Sequence, residues 1–139
     1  MNIREILKTE ESKLNFLGGL IRLAKVDGNV SEDEKLFFSQ AAAQLEMKEK
    51  TISLFENYWS SEDKINVKFE TKREGLFFIQ QAVQLCAMDG VYNDKEKKEI
   101  KLLGKELSLL ESSIEKIETW IEDGLKWQAL GETLLCIEN

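Results

Sequence analysis

Two pairs of carboxylates recur at one spacing. Asp27 precedes Glu34 by seven positions, and Asp89 precedes Glu96 by the same seven. The first pair lies in A-K-V-D-G-N-V-S-E-D-E, Ala24 to Glu34. The second lies 62 positions later in C-A-M-D-G-V-Y-N-D-K-E, Cys86 to Glu96. In both, an apolar helical pattern runs into Asp-Gly, so the Asp falls at a helix C-terminus. The dipole is negative there, and an exposed acid costs roughly 0.3–1 kcal/mol. A cation would remove that conflict, because the last helical turn offers carbonyl oxygens without partners. Oxygen-only ligands suit hard ions such as Ca²⁺ or Mg²⁺. The candidate metal ligands are therefore Asp27, Glu34, Asp89 and Glu96. The second site is poorer in acid, with Lys95 where the first has Asp33. Neither is an EF-hand, whose acids at the loop's ends stand about 11 positions apart.

The same residues have a plainer use. Asp-Gly followed by a capping box suffices for a tight helix–loop–helix corner. Ser31 with Glu34, and Asn93 with Glu96, read as such boxes, and Gly28 and Gly90 as left-handed helix ends. Catalysis finds little support. Histidine is absent, which removes the usual general base and the Ser–His and Cys–His nucleophile pairs. No phosphate-binding glycine motif occurs either. The chain reads as a non-enzyme.

Helices must position these corners. A short first helix is expected over 2–8. A longer one follows, capped by Thr9, with Leu17, Leu20 and Ile21 inward. Gly18-Gly19 inside it predicts close packing. The third helix, after Ser31, is expected to use Leu36, Phe37, Ala41 and Leu45 as its spine, and a fourth spans about 48–59. The stretch 60–70 is aperiodic and reads as a linker, with Ile65, Val67 and Phe69 pinning it to the core. Thr71 with Glu74 opens the second half as another capping box. Helices to about Met88, from Asn93 to about Leu107, from 111 to 124 and from 125 to 137 complete the chain. Trp59, Trp120 and Trp127 are expected in the core, although tryptophan also marks partner surfaces.

The repeat extends beyond the corners. At the same offset Phe16 matches Phe78, Leu23 matches Leu85, Leu45 matches Leu107 and Ile52 matches Ile114. The expectation is all-α: one domain over 1–139, a bundle of seven to eight helices. It is built from two pseudo-symmetric three-helix halves, about 14–59 and 76–121. The 139 residues are enough to bury a core. A net charge of −7 disfavours nucleic acid and anionic membranes and favours cations or basic partners. No apolar run nears the roughly 20 residues of a membrane span. With no signal-peptide pattern at the start, the expected compartment is the cytoplasm. Cys86 and Cys136 then read as small apolar residues.

The paired Asp-Gly loops, each with a Glu seven residues on, resemble the twin signatures of the TerB-like family of tellurite-resistance and stress-response proteins. They are also similar to the N-terminal domain of membrane-anchored DnaJ-type co-chaperones. The similarity covers about 14–121. It implies a compact bundle of about seven helices whose acidic loops hold divalent cations. It further implies a bacterial interaction or sensing module with protein partners. The family's acidic positions fall on Asp27, Glu34, Asp89 and Glu96. Cys86, Ala87 and the Val91-Tyr92 pair depart from the commonest form. The competing expectation is a structural protein–protein interaction domain without metal.

Overall fold

The structure is a computed structural model describing residues 3–28, 30, 32–88 and 92–138, without the side chains of Asp27, Asp33, Glu34, Phe37 and Met88. Among the described residues it is all-helical, with seven α-helices. They are α1 (Ile3–Ile6), α2 (Glu10–Ala24), α3 (Glu32–Gln44), α4 (Glu49–Asn57), α5 (Lys72–Met88), α6 (Asp94–Glu106) and α7 (Glu111–Leu134). A 3-10 turn, Lys25–Asp27, extends α2.

Local chemistry explains the starts. Thr9 accepts the Ser12 N–H at 3.0 Å, while the Ser12 hydroxyl accepts the Thr9 N–H. Thr71 and Glu74 form the equivalent box before α5, and Asn93 and Glu96 form it before α6. Each box satisfies two N–H groups that a helix start otherwise leaves without partners. The expected Ser31 cap lies outside the described residues. The starts of α2, α3 and α4 precede those of α5, α6 and α7 by 62 residues in each case.

The ends of α3 and α6 share a device. Glu46 and Ser108, also 62 apart, are the described non-glycine residues with positive φ, at 55° and 58°. Beyond α3, the Met47 N–H reaches the Ala42 carbonyl and the Glu46 N–H reaches Ala43. Beyond α6, the Leu109 N–H reaches Gly104 and the Ser108 N–H reaches Lys105. Both are Schellman closures, which satisfy the last helical carbonyls.

One apolar cluster takes residues from all seven helices and the 60–70 stretch. α2 packs on α4 and α5, and α5 packs also on α6 and α7. The glycine pair in α2 permits close approach: a Cβ on Gly19 would stand 2.5 Å from the Phe78 ring. Phe78 also meets Phe16 edge-on and lies beside Phe69. Ile65 and Val67 are buried and Phe69 half-buried, so the linker is pinned as expected.

Four expectations are corrected. Leu36 is exposed, and Phe38 with Ala42 and Leu45 supplies the buried face of α3. Ala41 packs on the core and Leu45 is buried as expected, and the Phe37 side chain lies outside the described residues, so the correction falls on Leu36, where three consecutive apolar residues leave the face ambiguous. The helices expected at 111–124 and 125–137 are one, since α7 runs through Gly124. A glycine weakens a helix but does not end it when backbone hydrogen bonding continues. Trp120 and Trp127 are exposed, outside the core. Cys136 is exposed too, while Cys86 is buried.

Candidate functional site

At the first corner the backbone does what Asp-Gly predicts. Asp27 closes the 3-10 turn, and Gly28 follows at φ 80°, its N–H donating to the Lys25 carbonyl. A left-handed residue of this kind reverses the chain at little strain when it is glycine. Lys25 ties the corner to α4: its Nζ donates to the Tyr58 and Ser61 carbonyls at 2.8 and 2.6 Å. A cation thus sits where the α4 dipole is negative. The second corner has Ala87 at the matching position and lacks this tie.

Of the four expected metal ligands, the side chains of Asp27 and Glu34 and the whole of Asp89 lie outside the described residues. Glu96 is described. It is half-buried, and its Oε1 accepts the Asn93 N–H at 3.1 Å as part of the capping box. Its second oxygen is not engaged by that bond. Among the described residues no group of three or more Asp, Glu, Cys or His is placed to hold a metal ion.

The best-organised charges lie elsewhere, on Arg22. This arginine is buried within α2, in a run from Phe16 to Leu23 whose every residue is buried. Its Nε donates to Glu99. Its Nη2 donates to Glu106 at 2.6 Å, and its Nη1 donates to Glu106 and to the Ile65 carbonyl, both at 3.2 Å. Lys64 adds a second cation to Glu106 at 3.0 Å. The cluster joins α2, α6 and the linker. Burial works against the Arg22 charge, yet the two carboxylates outweigh it and raise its pKa. The hydrogen bond from Arg22 holds Glu106 below its ordinary value, against partial burial and with help from Lys64. Sequence reading missed this cluster. The signal was an arginine inside a helix apolar on every side, beside glutamates seven apart on another helix. A buried charge requires partners.

Between α5, α6 and α7 runs a groove of about 480 Å³, lined by Val83, Ala87, Tyr92, Lys97, Glu118 and Leu125 among others. Lys97 stands 5.4 Å from the Tyr92 ring centre, a cation–π arrangement. Among the described residues, the Tyr92 hydroxyl is sealed from solvent and has the Glu118 carboxylate as its polar neighbour. Burial, then the Glu118 carboxylate, pushes its pKa far above the usual phenol value.

The C-terminal part of α7 is different again. Ile114, Ile117 and Ile121 anchor its first half against the bundle. Every residue from 122 to 138 is exposed. Trp120 is 58% exposed, Trp127 76%, Leu130 65% and Leu134 63%. Trp120, Trp127 and Leu134 are spaced by seven, which keeps them on one face with a drift of only about 20° per step. Leu130 adjoins that face, and Gly124 and Gly131 lie along it.

The chain matches no protein-family model, no curated protein and no solved structure.

Proposed function

We propose that the chain is a non-catalytic helical binding module that docks another protein through the exposed stripe of α7. The supporting observation is Trp127, three-quarters bare on a helix segment, residues 122–138, that is exposed throughout. A soluble monomer rarely leaves more than a few hundred Å² of contiguous apolar surface open. Tryptophan is also the residue most enriched at binding hot spots. The rest of the chain serves as frame: two three-helix halves about a pseudo-two-fold axis. Their common 62-residue spacing of helix starts and Schellman ends supports that arrangement. A bacterial stress-response setting, as in the TerB-like family it resembles, fits such a module.

The test is retrieval. The parent chain, immobilised, is compared with Trp120→Ser/Trp127→Ser against host extract and against itself. The variant should keep the parent's helical content and lose the bound protein. Equal retrieval by both would remove the stripe from the function.

A second reading keeps the acidic corners as divalent-cation sites. It is favoured by an acid placed twice, at Asp27 and Asp89, where the helix dipole opposes it. Asp27 and Glu34 would supply the first set, Asp89 and Glu96 the second, with Glu96 offering the oxygen its capping bond leaves over. Millimolar Ca²⁺ or Mg²⁺ should then raise the melting temperature by mass action. Asp27→Ala/Asp89→Ala should abolish the rise. A parent indifferent to both ions would leave the corners as turns.

A further inference from the structure

A second copy of this chain, we propose, is the occupant of the α7 stripe, its own α7 lying antiparallel with a two-fold axis beside Trp127. This rests on the reading of the stripe as a docking surface and specifies what docks there.

The spacing is self-complementary. Counted from Trp127, the stripe has Gly124 three residues before and Leu130 three residues after. It has Trp120 seven before and Leu134 seven after. In an antiparallel pair centred on Trp127, Gly124 of one copy faces Leu130 of the other, and Trp120 faces Leu134. A two-fold interface requires this reciprocity, each residue meeting its counterpart's mirror position. A glycine opposite a leucine, twice, is the large-against-small alternation that lets two helices approach closely. Nothing in the monomer explains Gly124, since a Cβ there would meet no atom within 4 Å. The same holds for Gly131.

Energetics agree with the geometry. A helical segment this short, without packing, is marginal in water. Two glycines weaken it by about 1 kcal/mol each. It therefore needs a partner face. At on the order of 100 Å² for each large apolar side chain, the four on the stripe, Trp120, Trp127, Leu130 and Leu134, offer roughly 400 Å² per copy. Stable complexes bury about 800 Å² per partner, so the pair belongs with the weaker, concentration-dependent ones. Glu122 and Glu132 stand two and five residues past the tryptophans, away from the stripe. Asp123, three residues past Trp120, flanks the stripe and lies opposite Gly131 of the other copy, so no acid on the stripe faces an acid across the pair, although each molecule carries −7 overall.

Sedimentation of the intact chain at about 100 µM, a concentration that populates micromolar dimers, should show a dimer. Raising salt should strengthen it, because screening weakens repulsion between two acidic copies. A basic partner would give the opposite sign. Trp127→Glu should yield a monomer. So should Gly124→Leu, which fills the notch meant for Leu130 yet improves the monomer's helix propensity, so misfolding cannot account for the loss. Cys136 reports direction: in the antiparallel pair its two copies lie about 27 Å apart at 1.5 Å per residue, too far for a disulfide. Rapid oxidative linkage through Cys136 would overturn the arrangement, as would a Gly124→Leu chain that still dimerises. A monomeric parent that captures a different protein through Trp127 would overturn the second copy and leave the docking surface standing. A monomeric parent that captures nothing would overturn both.

Discussion

At the scale of single residues, Arg22 is the side chain with most at stake. It is 9% exposed and joins two carboxylates and a backbone carbonyl from separate segments. Removing one partner from such a cluster leaves charges facing each other with little water. Glu99 and Glu106 keep 19% and 27% exposure, so water partly rescues them. Arg22→Ala is therefore expected to lose about 2–3 kcal/mol, below the full cost of a wholly buried orphan charge. Arg22→Lys should recover little, because one ammonium cannot span this fork of acceptors. Urea unfolding measures both, and an Arg22→Ala midpoint equal to the parent's would show the cluster to be energetically idle. The same site sets a pH response. Glu106 has its pKa lowered in the fold, from an ordinary 4.5, chiefly by Arg22. Glu10 is lowered as well, first by the Lys48 N–H and despite slight desolvation. A depressed folded pKa stabilises above the unfolded value and loses that stabilisation as pH falls through the folded one. Stability should thus be flat near neutrality and decline below about pH 4.5. The Arg22→Ala variant should decline less steeply, and urea midpoints between pH 7 and pH 3 would reveal any failure to do so.

Elements divide into those that announce themselves and those that do not. Thr9, Thr71 and Asn93 marked helix starts in the sequence, because a cap is a local reaction between neighbouring residues. The ends of α3 and α6 were harder to place, since the left-handed positions hold Glu46 and Ser108 where glycine is usual. A side-chain-bearing residue in that conformation is strained by about 1 kcal/mol. Glu46→Gly and Ser108→Gly should each raise stability by roughly 0.5–1 kcal/mol. Equal or lower melting temperatures for both would mean that other contacts of these residues matter more, such as the Glu46 pairing with Arg4 at 3.3 Å. The face of α3 was misjudged for a related reason. Leu36, Phe37 and Phe38 are contiguous, so local pattern cannot choose among them, and the choice belongs to packing against Trp59, 5.3 Å from the Phe38 ring. The first candidate corner was legible as a turn, with Gly28 left-handed at its end. The Arg22 cluster was not, because its partners lie 77 and 84 residues away.

For the molecule as a whole, the sequence pattern of α7 conceals a change of role at Ile121. Before it, Ile114 and Ile117 face the bundle; after it, apolar residues continue at helical spacing but face solvent. Periodicity registers an apolar face without saying whether its cover is the same chain or another. That is why Trp120 and Trp127 were expected inside and are found outside. The division has a consequence for stability. Residues 126–138 are exposed throughout, so the monomer gains little burial from them. A chain ending at Leu125 should melt within about 2 °C of the parent at concentrations too low for association, because apolar area newly buried is what stabilises a fold. At higher concentration the two should part. The parent's melting temperature should climb with concentration, as mass action demands of an associating fold, while the shortened chain's stays constant. A shortened chain that melts far below the parent even when dilute would show that the C-terminal half of α7 supports its own bundle after all. The exposed stripe would then be a consequence of how that support is built and no docking surface.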